Sequence, residues 1–246
     1  MSDGLDGLRS DVALGCRVMA HQGLVENILG HISVRIDGGR ALVRCRGPRE
    51  RGLQFTAPDD VRVVDMDTGE IADSPAGDYA VPSELPIHTS VLAAHPDAEC
   101  VVHAHPPDVV VASLAGFALE PIFGAYDIPA ARLAASGIPV HPRSALIRTD
   151  ELAEEMIEAL GDAPAVVLKG HGVVTTGADV ADAVLRALQV DTLARMHLRA
   201  RAAGSTPEAI PDADLAELPD LGSAFNRETL WRHHVAALEQ DGLGLK

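Results

Sequence analysis

The chain is short of aromatic residues, of cysteine and of positive charge, and each shortage excludes something. Aromatic side chains make up 3% of 246 residues: one tryptophan, two tyrosines and four phenylalanines. The core must be aliphatic, and the 47% hydrophobic share supplies enough side chains for one larger domain. Cysteine occurs three times, at Cys16, Cys45 and Cys100, with no short spacing. An odd, scattered set excludes a disulfide framework and a thiolate metal site, and fits reduced thiols in the cytoplasm. Twenty Lys and Arg stand against 36 Asp and Glu, a formal net charge of −16. Such a chain is unsuited to nucleic acid or to an anionic membrane. An anionic substrate would need a local group of arginines. No apolar run approaches the ~18 residues of a membrane span. The acidic start Met1-Ser2-Asp3-Gly4 has no signal-peptide core. Neither a P-loop nor a G-x-G-x-x-G is present, so a nucleotide site has no support.

What is there centres on Cys100-Val101-Val102-His103-Ala104-His105-Pro106-Pro107. It reads as a buried strand ending in two histidines. Strand side chains alternate faces, so His103 and His105 project from one face. The two prolines then stop the strand, having no N–H for a ladder. Two imidazoles at a rigid strand end are half of a metal site. The plain alternative is a hydrogen-bonded core histidine beside a turn residue.

Elsewhere helices alternate with short strands. An amphipathic helix is expected over 5–22, and Gly23 stops it. Strands over 30–36 and 41–46 flank the hairpin turn Asp37-Gly38-Gly39-Arg40. Extended structure is expected at 53–56 and a strand at 61–66. Ser83 is placed as N-cap of a helix running to about His95. A short helix over 109–114 and an extended stretch at 121–124 follow. Asp150 is placed as the cap of a helix to about Leu160. Strands 165–168 and 173–176 flank Lys169-Gly170-His171-Gly172, and the longest helix spans 179–203. Residues 204–222 read as a surface arm, and a last helix covers about 223–240. We expect an α/β layered fold in one domain over 1–246.

His171 sits between two glycines at a strand exit, as His103 and His105 do, so three imidazoles can converge. Glu84, in an apolar neighbourhood, is the best carboxylate to join them, although a first-turn Glu also favours a helix dipole.

Four motifs in this order carry a resemblance. They are Gly30-His31-Ile32-Ser33-Val34-Arg35, Ser83-Glu84-x-x-x-His88, His103-x-His105-Pro106 and Gly170-His171-Gly172. Over roughly residues 8 to 203 the chain resembles the class II aldolase/adducin family. The resemblance implies a three-layer α/β/α domain with a central mixed or antiparallel sheet. It implies a homotetramer with sites at subunit boundaries. It also implies one divalent metal per subunit on His103, His105 and His171, with Glu84 as fourth ligand or acid/base. Mn²⁺ or Zn²⁺ leads, and Fe²⁺ or Co²⁺ also fits such ligands.

Departures narrow the chemistry. The family's sugar-phosphate aldolases carry Gly-Asn-x-Ser, Thr-Pro-Ser-Gly and often Ser-Ser-Glu. This chain has Gly30-His31-Ile32-Ser33, Thr56-Ala57-Pro58-Asp59 and Pro82-Ser83-Glu84. Asp59 would repel a phosphate. The replacements, with the segment Arg44-Cys45-Arg46 and with Tyr126 in Gly124-Ala125-Tyr126-Asp127, are similar to the family's decarboxylases of hydroxylated aromatic or pyridine dicarboxylates. The expected reaction is loss of CO₂ to an enolate or phenolate that a metal stabilises. Glu84, His31 and Tyr126 are the catalytic candidates. Arg44, Arg46, Ser83 and His88 are the substrate-binding candidates, and the partner is a small anion. Competing readings are an aldolase for a non-phosphorylated hydroxy-keto acid, a non-haem iron oxygenase and a non-catalytic adducin-like module.

Overall fold

A computed structural model describes residues 2–74 and 77–245. The alternation that defines the central strand also separates the layers. In β4 (Cys100–Ala104), Cys100, Val102 and Ala104 face one core, while Val101 faces another and His103 shares its side. The same division runs through β6 (Ala165–Leu168), where Ala165 and Val167 oppose Val166 and Leu168.

In chain order the elements are α1 (Ser2–His21), β1 (His31–Arg35), β2 (Arg40–Arg44), β3 (Val61–Asp65), α2 (Leu85–Ala94), β4, α3 (Pro107–Leu114) and α4 (Ile128–Leu133). Then come β5 (Val140–His141), α5 (Asp150–Leu160), β6, β7 (Gly172–Gly177), α6 (Val180–Ala202), α7 (Asp212–Glu217), α8 (Gly222–Phe225) and α9 (Arg232–Gln240). The seven strands form one sheet in the order β3-β2-β1-β4-β7-β6-β5. All neighbours are antiparallel except β5 and β6, so the sheet is mixed. Helices α1, α3, α4 and α6 bury Met19, Val109, Ala130 and Val184 against one face. Helices α2 and α5 bury Ile87, Val91 and Met156 against the other. This is the three-layer α/β/α arrangement.

Several local expectations need correction. Residues 53–56 are not extended: Leu53–Phe55 is a 3₁₀ turn, because Gly52 turns at φ 94° and its carbonyl accepts the Phe55 N–H. Ser83 is not the cap of α2; the N-cap position is Glu84, and neither supplies a side-chain cap. Thr149, not Asp150, caps α5, its Oγ1 accepting the Leu152 N–H. The 204–222 segment carries α7 and is tied down. Ile210 N–H donates to Pro121 O, and Arg132 donates to the carbonyls of Leu218 and Pro219. The last helix is broken into α8, a π-helical stretch (Asn226–Trp231) and α9. Helix α4 and strand β5 were not anticipated, being short and weakly periodic.

Candidate metal centre

Register brings the first histidines together. His31 on β1 stands opposite His103 on β4, and their ring centroids lie 5.0 Å apart. His103 is fully buried, and its Nδ1 donates to Val173 O at 3.0 Å. That bond leaves Nε2 with the lone pair. His105 lies one residue beyond the strand, where its backbone N–H donates to Leu24 O. Its Nε2 is 2.8 Å from His103 Nε2.

His171 arrives from the turn between β6 and β7. Gly170 takes φ +65°, a conformation that disfavours side chains. The turn is pinned from both sides. Gly170 N–H donates to Ser113 Oγ at 2.9 Å, and Ser144 Oγ donates to Lys169 O at 2.6 Å. At Gly172 a Cβ would strike Ala104 O and come within 2.8 Å of the His105 ring. The Gly-His-Gly motif thus lets β7 start against the end of β4.

Glu84 closes the group from just before α2. Its Oε1 accepts the Ile147 N–H at 2.9 Å and lies 3.5 Å from His171 Nε2; Oε2 lies 3.4 Å from His103 Nε2. One ligand atom from each of Glu84, His103, His105 and His171 falls within 4.8 Å of the others. Burial alone would raise the Glu84 carboxyl, but hydrogen bonds and charge from His103 and His171 hold it well below the usual carboxylate range. Burial, reinforced by His103 and His171, pushes His105 down to about 3, so it stays neutral. The protons that His103 and His171 hold toward Glu84 occupy the atoms a cation would take: once they leave, an anionic carboxylate and imidazole lone pairs converge. The two Nε2 atoms at 2.8 Å need a proton or a cation between them. The donor set fits a divalent metal.

The cavity in front of this group measures about 470 Å³ and is lined by His31, Arg46, Ser83, Glu84, His105 and His171, with Leu29 and Leu146 at its apolar edge. Arg46 is anchored through its backbone, exchanging hydrogen bonds with Ala80 at 2.8 and 2.9 Å. His88 lies behind the wall, its Nε2 2.6 Å from His31 Nδ1 and its Nδ1 2.6 Å from Ser33 Oγ.

Two candidates stand elsewhere. Arg44 Nη2 donates to both oxygens of Glu50, at 2.6 and 2.7 Å, and lines a different cavity of about 480 Å³ with Arg49, Arg51 and Asp59. Tyr126 is 66% exposed and lines a third cavity with Asp191 and His234. Asp59 is absent from the histidine cavity, so its charge does not argue against a phosphate there; Arg46 is the charged residue from that region that does line it. Ser33, Ser113, Ser144 and the Ile147 amide were not singled out from sequence. Only Ser33 left a signal, sitting two residues from His31 on the same strand face.

Residues 10–198 match the model of the class II aldolase and adducin N-terminal domain. The chain belongs to the class II aldolase/adducin family. It is 53% identical over 233 residues to a 3,4-dihydroxyphthalate decarboxylase of Arthrobacter keyseri, covering 94% of each chain. It is 50% identical over 238 residues to the protein of that name from Terrabacter sp. strain DBF63, covering 97% of this chain and 100% of that one. Among solved structures, an aldolase II superfamily protein from Pseudomonas syringae superposes with a TM-score of 0.80 at 23% identity, covering 97% of this chain and 94% of that one. No helix among the described residues is long and apolar enough to cross a membrane.

Proposed function

We propose that the chain is a metal-dependent decarboxylase of a hydroxylated aromatic dicarboxylate of the dihydroxyphthalate class. The observation that carries this reading is Arg46, an arginine that lines the same cavity as Glu84, His105 and His171. The names of the relatives at 53% and 50% identity support it. A dicarboxylate offers one group to be lost and one to be held. Arg46 grips the carboxylate that stays through a charge-assisted fork, with the Ser83 hydroxyl beside it. Glu84, His103, His105 and His171 would hold the cation. When bound, a divalent metal supplies Lewis-acid stabilisation of negative charge on substrate oxygen. A proton first adds to the ring carbon that bears the departing carboxylate, while the neighbouring ring oxygen takes on carbonyl character. The C–C bond to CO₂ then breaks, and its electron pair restores the aromatic ring and leaves negative charge on that oxygen.

Glu84 serves as an anionic ligand and not as the acid, because its surroundings keep it ionised. His31 faces the reacting group. Arg44 has a structural part in this scheme. Tyr126 can act only across a subunit boundary, which a homotetramer would supply. The exposed apolar side chains Leu114 and Leu146 near the cavity support such a contact. A cytoplasmic location is supported by three buried free thiols.

The test is an assay of purified protein loaded with Mn²⁺ or Zn²⁺ and offered ortho-hydroxy aromatic dicarboxylates, with CO₂ and O₂ followed together. CO₂ release without O₂ uptake is expected. O₂ uptake with Fe²⁺ would replace this reading with the oxygenase. Cleavage of a hydroxy-keto acid without CO₂ release would replace it with the aldolase.

A further inference from the structure

Three polar groups form a closed chain behind the cavity wall. Ser33 is fully buried, His88 is 1% exposed and His31 is 6% exposed; only His31 lines the cavity. A neutral imidazole has one N–H and one lone pair, so the chain admits two hydrogen arrangements. In the first, Ser33 O–H donates to His88 Nδ1, and His88 Nε2–H donates to His31 Nδ1. His31 then carries its own hydrogen on Nε2. In the second, every bond runs the other way. His31 Nδ1–H donates to His88, His88 Nδ1–H donates to Ser33 Oγ, and His31 Nε2 is left a bare acceptor.

The serine breaks the tie. Its Oγ has no hydrogen-bond partner but His88 among the described residues. In the second arrangement its own O–H hydrogen is buried with nothing to receive it, a desolvation penalty the first avoids. The first arrangement leaves only an unused oxygen lone pair, the milder deficiency. We infer that Ser33, acting through His88, fixes His31 as a neutral hydrogen-bond donor whose Nε2–H meets an anionic oxygen of the substrate. Both rings are buried and neither pairs with a carboxylate among the described residues, so no ion pair offsets the cost of charging them.

The polarity of the chain also removes a role from His31. To give its Nε2 proton to carbon, His31 would draw a proton from His88, and His88 would draw one from Ser33. That leaves a buried alkoxide. His31 therefore stabilises charge as it develops, in the manner of an oxyanion-hole donor. The proton that replaces CO₂ comes from outside these three residues. His31 is the catalytic group; His88 and Ser33 are positioning residues. The identity of the oxygen rests on the decarboxylase reading, but the tautomer does not.

The test has two arms. Histidine ¹⁵N NMR on metal-free and zinc-loaded protein, with His31 assigned by the signals lost in His31→Gln, reads the tautomer directly. Hydrogen on Nε2 is expected; hydrogen on Nδ1 would overturn the inference. In the second arm, His31→Gln keeps a donor that cannot pass a proton on, while His31→Phe keeps neither property. Both should retain metal. The Gln variant is expected within about 10-fold of wild-type kcat, and the Phe variant about 100-fold or more below it. Equal loss in both would also overturn the inference. If the wild-type protein released no CO₂ from any acid offered, the decarboxylase reading would fall, and the NMR arm would still decide the tautomer.

Discussion

Two cavities of nearly equal size share the segment that leaves β2, and they treat charge in opposite ways. One, of about 480 Å³, holds Arg44, Arg49 and Arg51 with Glu50, Asp59 and Asp60. Arg44 is closed against Glu50, and Glu50 Oε1 also takes the Gly52 N–H at 2.6 Å. The other, of about 470 Å³, holds one arginine, one carboxylate and three imidazoles, of which His31 and His105 are kept neutral by burial. In the charge-rich cavity the deepest charges, Arg44 and Glu50, neutralise each other, although Arg44 Nε finds no partner among the described residues. The charge-poor one has lone pairs aimed at one point and a guanidinium whose backbone alone is anchored. Binding capacity follows where unmet demand converges, not the number of ionic groups.

This contrast can be broken at several points. His103→Ala should remove bound metal and lower activity by roughly 1000-fold or more, since charge on the substrate oxygen then goes unopposed; metal analysis beside the CO₂ assay checks both. Normal activity in a metal-free variant would dissolve the site. Arg46→Ala should raise KM for a dicarboxylate by about 100-fold with kcat changed far less. Arg44→Met, two residues away, should do the reverse. It should lower unfolding free energy by about 3 kcal/mol, because it strands Glu50, yet barely move KM. Denaturant melts and Michaelis curves on the two variants settle which arginine belongs to which cavity.

Acid offers a subtler test on metal-free protein. The unfolded His88 imidazole takes up a proton below its ordinary 6.5, whereas burial, then the charge of nearby His103, pushes the folded one down to about 3. The unfolded state binds more protons in that window, so the Tm should fall as pH drops from 6.5 toward 3. His88→Gln should remove part of the slope. The smallest effect is expected from Asp59→Asn, which should leave KM within about twofold, as for a surface charge remote from the ligand.

The layered fold and the convergence of His103, His105 and His171 were legible because both rest on period-two patterning. Cys100–Ala104 and Ala165–Leu168 alternate cleanly, and His103, His105 and His171 all stand at or just beyond the ends of buried strands. The order of motifs did the rest. Long-range pairing was not legible. Arg44 and Arg46 are equivalent in sequence, and only the Glu50 side chain and the Ala80 bridge separate them. Ser83 invites two readings, a helix cap and a substrate contact; local rules favour the cap, but the residue caps nothing and lines the cavity. Ile147 contributes a backbone N–H, for which no residue type is diagnostic.

Strand β4 is the middle of the seven, with three strands on either side. Its amides open to solvent only when the whole sheet comes apart, so hydrogen exchange at His103 should report global unfolding. The turn bearing His171 is held only locally, by the His171 N–H on Leu168 O and by the Ser113 and Ser144 hydroxyls, so it can open while the sheet stays whole. A metal ion held by both would be tethered at one edge to the slowest-exchanging part of the molecule and at the other to a much faster one. Its release rate would then be set at the turn, whatever the stability of the sheet.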